Sequence, residues 1–203
     1  MKKNHAYTLK VSISDTRPLI RRHVMVPADI VLTCLHSVIQ AAIGWSNRNP
    51  YFFIAQGAFY AEDLQPSGSL KDGRKTNLAA LLRHPGDRMR YSLHAGEGWE
   101  HVIELEAVNE TPRRIQFAQC TAGERRCPPE DCGGPRRFAE LLKALARNRQ
   151  SGGGVLAGIG RRAPKRRTSD PGQEFFQGWL TGPFDPTGFD LGAANAAVSQ
   201  VRV

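Results

Sequence analysis

Residues 7–13, Tyr-Thr-Leu-Lys-Val-Ser-Ile, carry an apolar side chain at every second position. That period of two commits the start of the chain to a half-buried strand. Asp15 to Pro18 supply turn chemistry, and His23 to Val26 form a second short strand that stops at Pro27, which predicts an antiparallel hairpin. The period then changes. Leu35, Val38, Ile39, Ala42 and Ile43 recur at steps of three and four, one face of an amphipathic helix. Thr33 is the expected N-cap, Gly44 the expected C-cap, and Trp45 a packing anchor just beyond it. A strand–strand–helix opening points to the α+β class.

The remaining pattern extends that reading. Tyr51 to Tyr60 read as aromatic strand material broken by Gly57, and 61–75 as loop. Thr76 is expected to cap a short helix containing Leu78, Leu81 and Leu82, stopped by Pro85. Strands are predicted over 89–93 and 102–108, where Val102, Glu104 and Glu106 alternate with Ile103, Leu105 and Ala107. Residues 118–135 are turn-rich. Pro135 opens a helix at no cost in hydrogen bonds, with Phe138, Leu141, Leu142 and Leu145 as its apolar stripe. A last short helix is expected from Ala193 to Val201. The fold expected is a mixed, largely antiparallel sheet packed by helices. Its organisation is a core domain over 1–147, a flexible basic Gly/Arg-rich insertion over 148–173, and a segment over 174–203 that packs back on the core.

The chain has 203 residues, 40% of them hydrophobic, enough for a core without disulfides or metal. Met1-Lys-Lys-Asn-His5 runs into the first strand with no apolar leader. No stretch approaches the roughly 18 apolar residues of a membrane span. The expectation is a cytoplasmic protein with reduced thiols and no membrane partner. Cys34 falls on the helical apolar pattern and reads as a small core residue.

Net charge is +9, from 28 basic and 19 acidic residues. Such a balance suits a polyanionic partner or a basic solvated surface. The partner is open between nucleic acid and another protein. Arg161, Arg162, Lys165, Arg166 and Arg167 form an arm that would contact phosphates. No base-reading helix or stacking platform accompanies it.

The densest signature is CPPEDCGG at 127–134. Two prolines stiffen it, two carboxylates sit side by side, and two glycines permit unusual backbone angles before a helix. That helix start, beside Arg136 and Arg137, favours an anion. If the strand beginning at Trp99 faces this turn, then Glu97, Trp99, His101, Glu130 and Asp131 form one polar cluster, with Cys127 and Cys132 at its edge. The candidate catalytic residues are His101, Glu130 and Asp131, a histidine beside carboxylates being able to act as a general base. Against that stands a reading in which the two acids cap amides and His101 is structural. Cys120, Cys127, Cys132 and His101 match zinc in number and kind, but not in the compact spacing of a zinc finger. No cofactor is expected, zinc being the one considered. No Gly-x-Ser-x-Gly elbow, serine-recombinase arrangement or phosphate-binding glycine motif is present.

These segments together resemble the plasmid pRiA4b ORF-3-like family. They are YTLKVSI, RPLIRR, VPADI, LHSVIQAAIGW, GWEHVIELE, CPPEDCGG followed by FAELLKAL, then FDPTGFDL and Asn195. The resemblance implies an α+β fold with a β-grasp-like first half, and an accessory protein of plasmids or mobile elements that binds through the surface around the 127–134 turn. The alternatives are a metal-assisted or acid–base enzyme using His101, Glu130 and Asp131, and a nucleic-acid-binding protein using the 161–167 arm. The chain departs from the family pattern at Ile20-Arg21-Arg22, Asn49-Pro50-Tyr51, His94 to Glu97 and Arg147 to Arg149, where the family favours tryptophan, histidine and aspartate.

Overall fold

A computed structural model describes residues 4–62, 68–93, 98–150 and 184–203, with backbone alone for 148–150. The hairpin is present and longer than its apolar alternation: β1 (Asn4–Ile13) pairs with β2 (Ile20–Pro27), Tyr7 facing Val26 and Val11 facing Arg22. Helix α1 (Leu32–Ile43) follows, capped by Val31 rather than Thr33, with no side-chain cap. Gly44 ends it as expected, at φ 86°, donating its N–H to the Gln40 carbonyl.

The aromatic segment splits at Gly57 into β3 (Tyr51–Ala55) and β4 (Ala58–Ala61). Gln56 and Gly57 both have positive φ, 50° and 73°, the backbone twist that suits a two-residue hairpin. The stretch read as loop contains β5 (Leu70–Asp72), which runs parallel to β4, and a 3-10 turn (Gly73–Lys75). Helix α2 (Leu78–Leu81) is capped by Asn77, not Thr76. Strands β6 (Arg88–Leu93), β7 (Trp99–Thr111) and β8 (Gln119–Glu124) complete the sheet; β8 lies inside the span read as turns. Helices α3 (Gly134–Gln150) and α4 (Leu191–Val198) follow.

The eight strands form one sheet in the order β5-β4-β3-β6-β7-β1-β2-β8, antiparallel except for the β4–β5 pair. One face is apolar: Leu9 opposite Leu105, Val11 opposite Ile103 and Ile13 opposite His101, all fully or nearly fully buried. On the other face Glu104 accepts from Lys10 (3.2 Å) and Arg88 (2.8 Å), and His23 pairs with Glu106 at 2.8 Å. Alternation along β1, β6 and β7 sends core residues one way and this charged ladder the other. The architecture is α+β with a β-β-α opening. Helix α4 packs against α1 and β8. Most of the expected 148–173 insertion, with Arg161, Arg162, Lys165, Arg166 and Arg167, lies outside the described residues, as does Glu97. Among the described residues no helix is long and apolar enough to cross a membrane.

Candidate functional site

The 127–134 turn folds back on the strand that begins at Trp99. Two indoles hold its backbone: Trp99 Nε1 donates to the Glu130 carbonyl at 3.0 Å, and Trp45 Nε1 to the Pro128 carbonyl at 2.9 Å. The Pro129 carbonyl accepts from the Cys132 N–H within the turn at 3.2 Å, and the flanking carbonyls of Pro128 and Glu130 take these side-chain donors. Cys132 is fully buried beneath it.

The acidic pair does not face His101. Glu130 turns to the loop after α1, where Oε1 accepts from Asn49 Nδ2 at 2.6 Å and Oε2 from the Ser46 N–H at 2.7 Å. Asp131 is exposed. His101 alternates with Trp99 and Ile103 onto the core face, where it is fully buried. Its Nδ1 meets the Tyr91 carbonyl at 3.2 Å and so carries the proton, while Nε2 has no hydrogen-bond partner among the described residues. The Trp45 ring lies edge-on to it, centroids 5.6 Å apart. Burial pushes its pKa down to about 4. The expected His101–Glu130–Asp131 catalytic cluster is therefore not assembled: strand alternation places the imidazole in the apolar layer, and the carboxylates serve a loop and solvent.

The thiols do not assemble either. Arg22 Nη2 donates to Cys127 Sγ at 2.9 Å, and Cys120 Sγ sits 3.6 Å from the Ala122 carbonyl. Burial raises all three thiols, Cys127 to about 11 and Cys132 to about 12. Among the described residues no group of three or more His, Cys, Asp or Glu side chains is placed to hold a metal ion, so Cys120, Cys127, Cys132 and His101 do not form the zinc-like set. Arg136 and Arg137 are exposed on α3 and pair with Glu140, at 3.9 and 3.0 Å.

What the turn organises is the 44–50 loop, and on its far side a second histidine. His36, on α1, is 5% exposed. Its Nδ1 lies 2.7 Å from the Tyr91 hydroxyl, which also accepts from Gln40 Nε2 at 2.8 Å. With Gln40 donating, the hydroxyl proton points to His36 Nδ1, and the His36 proton sits on Nε2. Gln40 Oε1 in turn accepts from the Asn47 N–H at 3.2 Å. The His36 ring stacks on Tyr51, centroids 3.5 Å apart and 7° from parallel. Burial lowers its pKa to about 4, against the opposing pull of the Asn47 side chain and the Glu130 carboxylate. Burial also raises the Tyr91 hydroxyl.

This network floors a cleft of about 730 Å³ lined by Thr33, His36 and Ser37 of α1, Asn47, Arg48 and Tyr51, Glu62, and Arg202. A second hollow, of about 990 Å³, lies against Trp45, Pro128 and Glu130, with Arg22 and Phe189. The 44–50 loop is the ridge between them. His36 and Gln40 escape a reading of the sequence because they fall within an apolar helical pattern. The available signal was their spacing of four: two polar residues on the face that carries Leu35, Val38, Ile39 and Ile43.

The family model described as plasmid pRiA4b ORF-3-like protein matches residues 5–193. A curated relative, the uncharacterized protein y4hQ of Sinorhizobium fredii (strain NBRC 101917 / NGR234), is 34% identical over 145 residues, 68% of this chain and 72% of that protein. A crystal structure of a protein of unknown function, MM3350 from Methanosarcina mazei Go1, is similar with a TM-score of 0.74 at 24% identity, covering 95% of this chain and 97% of that one. At that identity the likeness shows a common fold.

Proposed function

As the chain belongs to the plasmid pRiA4b ORF-3-like family, we propose that it is a cytoplasmic accessory protein of plasmid or mobile DNA that acts by binding, not turnover. Its recognition site is the His36–Tyr51 cleft, walled by the loop that Glu130 braces. The observation that carries this reading is the state of His36. An imidazole with a pKa of about 4 is a weak base at neutral pH, and its Nδ1 is already engaged by Tyr91. A general base works best with a pKa near the operating pH and a free nitrogen. A neutral ring held in one tautomer between Tyr91 and the Asn47 side chain, and stacked on Tyr51, is instead a fixed wall of a pocket of ligand size.

The test is a ligand panel of nucleotides, sugar phosphates, amino acids and aromatic carboxylates, followed by amide NMR shifts on the full chain. Binding is expected to move residues 33–37 and 47–51, to weaken in Tyr91→Phe, and to return the ligand chemically unchanged. Shifts centred on 127–134 with the cleft silent, or consumption of the ligand, overturn the proposal.

A further inference from the structure

Two arginines reach the cleft from opposite ends of the sequence. Arg48 comes from the 44–50 loop and Arg202 from the segment after α4. Both side chains are exposed, and neither has a hydrogen bond or ion pair with another described residue. Their backbones are nonetheless fixed. The loop around Arg48 is held on one side by Gln40 and on the other by Glu130. Arg202 bridges to Phe117, and its neighbour Val203 donates to the Gln116 carbonyl and accepts from Arg114 Nη1 at 2.9 Å. Arg114 is itself tied to Asp29 at 2.9 Å.

Among the described residues the only carboxylate lining the cleft is Glu62, whose Oε2 accepts from the Tyr51 hydroxyl at 3.4 Å. One carboxylate against two guanidiniums, beside a neutral histidine, leaves the lining net positive. We infer that the cleft takes a small ligand bearing a compact oxyanion, phosphate or carboxylate, gripped between Arg48 and Arg202. The inference rests on the cleft being the recognition site. Guanidinium forks match such oxyanions in geometry as well as charge. Anchored backbones keep the cost of ordering the two side chains low.

The test uses inorganic phosphate, citrate, adenosine monophosphate and uncharged adenosine, titrated into the full chain and into Arg48→Gln, Arg202→Gln and the double variant. Arg90→Gln, on the charged outer face of the sheet, controls for overall charge. The anionic probes are expected to shift cleft amides and the side-chain N–H signals of both arginines, and to bind more weakly as salt rises. The double variant should weaken binding at least about tenfold, the scale of a lost charge-assisted pair, while Arg90→Gln leaves it unchanged. If adenosine shifts the cleft as strongly as its monophosphate and the double variant binds equally well, the oxyanion inference falls and the cleft reading stands. Shifts confined to surfaces outside the cleft remove both. If uncharged adenosine moves the cleft while none of the three anionic probes does, the oxyanion inference alone is lost.

Discussion

Trp45 Nε1 and the Pro128 carbonyl lie 2.9 Å apart, a hydrogen bond that joins the residue after the α1 C-cap to the middle of the 127–134 turn. Trp45→Phe keeps an aromatic side chain of smaller volume and removes the donor, leaving a buried carbonyl unpaired. The expected cost is about 1–3 kcal/mol. A urea titration should give a lower midpoint with an unchanged slope, since the surface exposed on unfolding stays the same. An unaltered midpoint would mean that water replaces the indole without penalty.

Arg22 is 4% exposed and lies 4.1 Å from the centroid of the Phe189 ring. Its donors reach the carbonyls of Ala42, Arg21, Glu124 and Arg125 as well as Cys127 Sγ. Lysine keeps the charge and loses the fork. Arg22→Lys is expected to destabilise the fold by about 3 kcal/mol, because several buried carbonyls lose their donor together. Thermal unfolding reads this as a clear drop in Tm; a shift within error would show that the ammonium can substitute.

Gly123 lies directly against Phe189: a Cβ there would stand 2.5 Å from the ring's Cζ. Gly123→Ala should push Phe189 off the Arg22 guanidinium and cost about 1–3 kcal/mol. The mechanism is specific enough for a double-mutant cycle. In a Phe189→Ala background the alanine should cost little, and a full cost there would place the clash elsewhere.

His36 and His101 both have folded pKa values near 4, against an ordinary 6.5. Between those values the unfolded chain binds protons that the folded chain excludes. Stability is therefore full above about pH 6.5 and is lost as pH falls toward 4, by up to about 3 kcal/mol for each ring. Unfolding free energies measured from pH 4 to 7 should rise with pH, and His101→Phe should flatten that rise. Equal slopes in variant and parent would show that His101 takes no part.

The opening hairpin, the Gly44 cap and the β7 alternation were legible because each rests on local periodicity or on a residue with a special backbone preference. β8 was not: Gln119 to Glu124 bury only Cys120, so no apolar alternation marks a strand whose pairing with β2 comes from tertiary contact. β5 has three residues and pairs in parallel, which leaves no sequence period at all. At the site, the sequence pointed to the 127–134 turn and to His101, whereas the cleft proposed above is built around His36. His101 sits two residues from Trp99 and reads as its neighbour in function. His36 meets Tyr91 across 55 residues, and nothing local links them.

The borders of the sheet carry a last consequence. β5 offers three residues on one side, and on the other the Cys120 N–H, directed away from β2, is taken by Asn195 Oδ1 at 3.0 Å, while Phe117 is bridged by Arg202. Among the described residues one margin is three residues long and the other is partly taken by Asn195 and Arg202, short or covered edges of the kind that discourage a foreign strand from adding on. Copies of this chain at high concentration are therefore expected to join edge to edge less readily than a sheet with long open margins.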